Sequence, residues 1–103
     1  MRYEWDEGKN RRNQCKHGGI SFEMGTLVFE DEHCLVGPDR VDKTGEPRWH
    51  AIGEVWIEPE GSAVLLVVHA YREDRYGEEI IRIISARRAA KQEIRRYQEQ
   101  AMD

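Results

Sequence analysis

Arg82, Arg87 and Arg88, with His17 and His69, are the side chains of this sequence best suited to act on a phosphodiester. Cutting RNA without a metal ion requires the ribose 2′-oxygen to attack the adjacent phosphorus. Three groups help: a base for the 2′-hydroxyl, cations for the charge that builds on the phosphorane, and an acid for the departing 5′-oxygen. Arg82 stands among four isoleucines at 80, 81, 83 and 84 and needs either a partner or an anion. A salt bridge to Glu79 or Glu93 would satisfy it as well as a phosphate would. Arg87 and Arg88 fall at the predicted start of the last helix, where a cation opposes the helix dipole. A phosphate there would offset that cost and meet free backbone N–H groups; side chains that merely extend into water would need no ligand.

His17 and His69 are the proton-transfer candidates, because imidazole titrates near neutral pH. His69 follows a buried strand and shares a face with Leu65 and Val67, so a structural histidine is a serious rival reading. His17 follows Lys16 at a helix C-terminus, where both cations could simply complement the dipole. Arg72 lies three residues beyond His69; a regular strand puts the two on opposite faces, and a bulge would be needed for them to cooperate. Tyr97 reads more readily as core than as catalyst, and Glu93, one turn earlier, could pair with Arg82 or Arg96. Trp49 and Trp56 suit the core or sheet surface better than base stacking.

These residues must be positioned by a small set of elements. Arg2–Asp6 alternates polar and aromatic residues and suits a short strand. Asp6 can cap a helix over Glu7–Lys16, which Gly18-Gly19 ends, and Ser21 is a natural cap for a second short helix from Phe22 to Phe29. A strand over His33–Gly37 and a loop over Pro38–Pro47 follow. Strands are predicted over Arg48–Ile57, Ala63–Tyr71 and Glu79–Ile84, with turns at Pro59–Ser62 and Arg72–Gly77. In the first of these Trp49 and Ala51 share one face, and His50, Ile52 and Glu54 the other. Ser85 then caps a last helix whose apolar stripe is Ala86, Ala90, Ile94, Tyr97 and Ala101. The pattern is α+β: an antiparallel sheet of about four strands packed by two N-terminal helices and a C-terminal helix, in one domain over residues 1–103.

Net charge is −4, which counts against nucleic-acid binding until its distribution is read. Residues 23–60 hold ten acids and three Lys or Arg, whereas 82–97 hold six Lys or Arg and one acid. One end of the chain can therefore meet an anion while the middle repels it, although charged surface helices are common without a ligand. Cys15 and Cys34 form no CxxC and lack neighbouring metal ligands, so no metal and no cofactor is expected, and reduced thiols fit a cytoplasmic protein. There is no signal-peptide pattern, and the longest apolar run, 63–68, is too short to span a bilayer.

Several segments, in their order and spacing, resemble the BrnT toxin family. They are Glu4-Trp5-Asp6, the run Lys16-His17-Gly18-Gly19-Ile20-Ser21-Phe22, Phe29 with Asp31, and Arg48 with Ile52-Gly53. Next come Leu66-Val67-Val68-His69 with Arg72, and Arg82-Ile83-Ile84-Ser85-Ala86-Arg87-Arg88-Ala89 followed by Glu93 and Tyr97. The likeness covers roughly residues 3–97; Gly19-Ile20 replaces the usual Gly and Val, and the segments 55–62 and 72–79 run slightly long. The resemblance implies a RelE-like fold and a metal-independent ribonuclease that arrests translation. It also implies a BrnA-type ribbon-helix-helix antitoxin, in a 2:2 complex that meets operator DNA only through the antitoxin.

On this reading Arg72, Arg82 and Arg87 hold the scissile phosphate, His17 or His69 moves protons and Lys16 assists electrostatically. Arg88, Lys91 and Arg95 extend the surface that binds RNA. Two other readings remain open from sequence: a basic-patch module that blocks RNA or ribosomes by occupancy, and a protein-interaction domain whose charges serve a partner.

Overall fold

The fold is known from a computed structural model that describes residues 1–101, leaving aside the side chain of Ala101. The elements run β1 (Arg2–Glu4), α1 (Glu7–Lys16), α2 (Phe22–Thr26), a 3-10 turn (Leu27–Glu30), β2 (Leu35–Val41), β3 (Pro47–Ile57), β4 (Gly61–Glu73), β5 (Glu79–Arg88) and α3 (Lys91–Ala101). The sheet has five strands in the order β1-β5-β4-β3-β2. β1 pairs parallel to β5 and the other neighbours are antiparallel. The α+β class holds, but the expected sheet of about four antiparallel strands is corrected to a mixed sheet of five.

The helices pack on both faces. Ile20, Phe22 and Val28 from the α2 region meet Ala51, Val55, Leu65, Val67, Ile81, Ile83 and Ala86 on one face. On the other, Tyr97 of α3 meets Ile52 and Leu66, with Leu35, Val64, Val68 and Ala89 around them. α1 has no apolar stripe, and its two buried residues are Asn10 and Asn13. Asn13 Nδ2 donates to the carbonyls of Ile20 (2.9 Å) and Ala86 (2.7 Å), and its Oδ1 accepts from Ala86 N–H at 3.3 Å. Asn10 Oδ1 accepts from Phe22 N–H at 2.9 Å. Beyond the three residues that β1 covers, the helix thus satisfies the free edge of β5 in place of a strand, by buried hydrogen bonds rather than hydrophobic area.

The predicted caps at Asp6 and Ser21 are present, accepting from Lys9 N–H (3.0 Å) and Met24 N–H (3.1 Å). The cap at Ser85 is not. β4 is long enough to offer ladder partners past the expected end of β5, so Ala86, Arg87 and Arg88 pair with Val67, Leu66 and Leu65. α3 starts only at Lys91, and its first turn is closed by the Glu93 carboxylate, which accepts from Ala90 N–H at 2.7 Å. Arg87 and Arg88 therefore end a strand instead of opening a helix, so they are not the cations at a helix N-terminus that the sequence suggested. Of the predicted stripe, Ala86 belongs to the strand and Ala90 is exposed; Ile94 is half-buried and Tyr97 is buried. Ala101's side chain lies outside the described residues.

Half of the loop predicted over Pro38–Pro47 is strand. Pro38 sits in β2, an edge strand, where a missing N–H costs little. The chain reverses in Asp42-Lys43-Thr44-Gly45-Glu46, where Asp42 Oδ1 accepts from the N–H groups of Thr44 (2.8 Å) and Glu46 (2.9 Å). Asp74-Arg75-Tyr76-Gly77-Glu78 repeats that turn, with Asp74 Oδ1 accepting from Tyr76 (2.8 Å) and Glu78 (3.0 Å). Gly45 and Gly77 take φ of +89° and +79°, the left-handed conformation that favours glycine. Arg72, expected in a turn, consequently lies within β4.

Candidate active site

The residues with chemical capacity gather on the part of the sheet that α3 leaves uncovered. The device that gathers them is a β-bulge. Val68 pairs with Ser85 and His69 with Ile83, so Ile84 has no residue opposite it. Arg82 and Arg87, five residues apart, would face opposite sides of a regular strand. The extra residue restores the parity: Ile83 and Ala86 both enter the core beneath α2, and Arg82 and Arg87 both emerge on the α3 side. Arg72 of β4 joins them, alternating with Tyr71 on the far face.

Each of these arginines has a carboxylate partner. Arg72 lies 3.9 Å from Glu4 and 3.4 Å from Glu46, and Arg82 lies 3.8 Å from Glu4. These are long, half-exposed pairs, each contributing about 0–1 kcal/mol. The expected partners of Arg82, Glu79 and Glu93, are both replaced by Glu4, which the parallel pairing of β1 with β5 places beside it. Arg87 is held more firmly, donating twice to Glu93 at 2.8 and 3.0 Å. Those bonds draw the Glu93 carboxyl down to about 2, and Glu93 in turn raises the Arg87 guanidinium. The neighbouring Arg48 of β3 pairs with Asp42 at 3.4 Å.

The sequence reading passed over His50. Its Nδ1 lies 3.4 Å from Asp39 of β2, and its Nε2 lies 3.3 Å from Arg96 of α3. The signal was available in the alternation Arg48, His50, Ile52, Glu54, a mostly polar face on β3. Asp39 was hidden in the stretch read as loop.

His17 and Lys16 lie around the corner, at the C-terminus of α1 beside the β5 edge. They line a shallow hollow with Lys9, Arg12, Ile84 and Ser85. Partial burial, and then the charges of Lys16 and Arg87, push the His17 imidazole below its usual pKa and favour its neutral form. The Arg87 charge is thus felt at His17, and the Asp39 charge is felt at Arg87. Arg87 stands between the edge and the open face.

His69 is separated from this group. It is 0% exposed, on the face beneath the N-terminal helices. Phe29 and Tyr71 pack edge-on against it, each with ring centroids at 5.0 Å. Burial, outweighing a weak contact to the Val67 carbonyl, lowers its pKa, and its Nε2 has no partner among the described residues. The strand between His69 and Arg72 is regular, so the bulge that would have joined them is on the neighbouring strand instead. Arg88 is also apart, bound to Glu60 at 2.6 Å. Lys91 and Arg95 are exposed on α3, without a salt bridge among the described residues.

Tyr97 belongs to the core, 5% exposed, and its hydroxyl donates to Asp31 at 2.5 Å. Burial opposes charge on Asp31, but N–H donation from Glu54, the Tyr97 hydroxyl and the His33 N–H together hold its carboxyl below the usual range. Tyr97→Phe is expected to cost about 1.5–3 kcal/mol in urea unfolding, the typical worth of a hydrogen bond to a charged group. RNA chemistry should be unchanged in that variant.

Among the described residues, no group of three or more His, Cys, Asp or Glu side chains is arranged to hold a metal ion. No helix there is long and apolar enough to cross a membrane. Comparison with curated proteins finds no match. A family model described as a ribonuclease toxin, BrnT, of type II toxin-antitoxin systems matches residues 5–93. An open sheet face of aligned arginines, bordered by imidazoles, suits the RNA substrate that this description carries. The chain belongs to the BrnT family of ribonuclease toxins.

Proposed function

We propose that this chain is a metal-independent endoribonuclease of RelE-like fold that arrests translation in the cytoplasm. A BrnA-type ribbon-helix-helix antitoxin neutralises it in a 2:2 complex and carries it to operator DNA. The observation that supports the enzyme reading best is the bulge at Ile84, which turns Arg82 and Arg87 to the same open face as Arg72.

On that face the scissile phosphate lies against Arg72, Arg82 and Arg87. The phosphate takes over the contacts that Glu4, Glu46 and Glu93 now make. Guanidinium groups suit the task because they stay charged and present planar, paired donors to phosphate oxygens. The 2′-oxygen attacks phosphorus, the added negative charge falls on these donors, and the 5′-oxygen departs to leave a 2′,3′-cyclic phosphate and a 5′-hydroxyl. His17, neutral at the β5 edge, is a proton-transfer group within the field of Arg87, and Lys16 adds positive charge beside it. His69 takes no part, since no RNA atom reaches a fully buried ring. Lys91 and Arg95, and the α1 cations Lys9 and Arg12, steer the flanking strand. Arg88, bound to Glu60, lies at the margin of that surface.

The test is incubation of the purified protein with defined RNA in EDTA, and in parallel with mRNA on translating ribosomes. Discrete products with new 5′-hydroxyl ends are expected. Tight, salt-dependent binding with intact RNA in both assays would replace this reading with one of occupancy.

A further inference from the structure

We propose that His50 is the group that accepts the ribose 2′-hydroxyl proton, with Asp39 as the positioning residue that holds its ring. The inference rests on the ribonuclease reading above and adds a base on the open face itself.

Four observations place it there. First, the imidazole stands on the same side of the sheet as Arg72, Arg82 and Arg87, because His50 alternates with Ile52, which packs under α3. Second, the contacts fix its tautomer. A guanidinium can only donate, so Nε2, 3.3 Å from Arg96, carries the lone pair. Nδ1 then carries the proton and faces the Asp39 carboxylate at 3.4 Å. A carboxylate behind Nδ1 and a lone pair on Nε2 is the arrangement that orients an imidazole as a base and stabilises it once protonated. Third, the seat is shaped for the ring: a Cβ on Gly37 of β2 would lie 3.3 Å from His50 Nε2, so a side chain there would crowd it. Fourth, the side chain keeps 16% of its surface exposed, enough for a ribose to reach, unlike His69.

The charged and titratable groups on the His50 side of the sheet are Asp39 from β2, Arg96 from α3 and, two residues back along β3, Arg48, which is paired with Asp42; His50 is in turn felt at His69 through the sheet. Its direct partner on β4 is Val68, which carries no charge. Arg96 is exposed, so its guanidinium is free to exchange Nε2 for a phosphate oxygen when RNA arrives. Nε2 then takes the 2′-hydroxyl proton as the O2′–P bond forms and the P–O5′ bond breaks. The leaving 5′-oxygen takes a proton from water, and the His50 imidazolium returns its proton to the hydroxide left behind.

Single-turnover cleavage would be measured from pH 5 to 9 for the parent, His50→Gln, Asp39→Asn and Gly37→Ala, with His69→Leu as control. Folding of each would be checked by circular dichroism and RNA affinity by filter binding. His50→Gln should cleave roughly 10²–10⁴-fold more slowly, the usual worth of a general base, and lose the acid limb of the profile. Its affinity for RNA should stay within about threefold of the parent, because a base adds little to ground-state binding. Asp39→Asn removes the carboxylate behind Nδ1 that steadies the ring as it takes the proton, so it should slow cleavage while leaving RNA affinity unmoved. Gly37→Ala should slow cleavage without moving affinity, and His69→Leu should match the parent.

A folded His50→Gln with the parent's rate and acid limb overturns the assignment and leaves the ribonuclease reading standing. Should His50→Gln fail to fold, unchanged cleavage rates in both Asp39→Asn and Gly37→Ala overturn it instead. No cleavage by the parent, on free RNA or ribosomes, removes the ribonuclease reading and this one together.

Discussion

Arg87→Ala should cut RNA on the order of 10²–10³-fold more slowly than the parent, the usual cost of deleting one donor aimed at transition-state charge. The expectation follows from where Arg87 sits. Its charge is felt at His17 on the β5 edge, and the Asp39 charge beside His50 is felt at Arg87. Its two bonds to Glu93, at 2.8 and 3.0 Å, show a fork already arranged for a pair of oxygens. A folded Arg87→Ala that cleaves at the parent's rate would remove Arg87 from the clamp.

The same pair makes an acid-stability signature that separates chemistry from folding. Glu93 stands at about 2 in the folded chain, against an ordinary value of 4.5, chiefly through its bonds from Arg87. A carboxyl lowered on folding stabilises the fold above its ordinary value and loses that contribution as pH falls toward the folded one. The parent should therefore lose stability between pH 4.5 and 2 as the start of α3 loosens. Both Arg87→Ala and Glu93→Gln should flatten that loss in thermal melts. Their RNA phenotypes should diverge: Glu93→Gln frees the guanidinium and should tighten RNA binding, whereas Arg87→Ala weakens it. Equal phenotypes would mean that Glu93 does more than hold an arginine in waiting.

Much of this architecture was legible because local rules agree with the fold. Asp6 and Ser21 cap as their positions suggest, and the Val/Leu-rich run around 63–71 is the central strand. What was missed was decided by non-local pairing. Ser85 followed by an apolar, basic run reads as a capped helix, yet β4 runs beside Ala86, Arg87 and Arg88 on one edge and Asn13 takes the N–H and C=O of Ala86 on the other, which keeps the segment in the sheet. A bulge leaves no mark in the sequence, so nothing before the structure tells that Arg82 and Arg87 share a face. His69 and His50 are placed by the same logic. Both are histidines on strands, and only the packing of α2 on one face and the partial cover of α3 on the other buries the first and spares the second. The second turn was read too early, over Arg72–Gly77, and the first as a longer loop; the Asp-x-x-Gly-Glu motif they share, set at 42–46 and 74–78, would have extended β2 and β4 and brought Arg72 into a strand.

Gly53→Ala should be among the most destabilising single changes in the chain, although it adds one methyl group far from the RNA face. A Cβ at Gly53 would lie 2.9 Å from both the Cβ and the carbonyl oxygen of Val28, and 3.0 Å from its Cα. Two of those contacts are backbone, so no rotamer change relieves them. Either β3 or the 3-10 turn over Leu27–Glu30 must move. Overpacking of this kind costs about 1–3 kcal/mol or more, and each kcal/mol lowers the melting temperature of a domain this size by roughly 4–8 °C. The displacement would also reach Asp31, which follows that turn and receives both the Glu54 N–H at 2.8 Å and the Tyr97 hydroxyl. Through that shared carboxylate the turn, β3 and α3 are tied at one point. Gly53→Ala and Tyr97→Phe should therefore be non-additive, the double variant losing less than the two single losses combined, because each loosens the same junction. Strict additivity, measured by urea unfolding, would show that the turn yields without disturbing Asp31. The grip of α3 on the sheet would then depend chiefly on the packing of Tyr97 against Ile52 and Leu66 and on the Arg87–Glu93 pair, with the Asp31 junction a separate contribution.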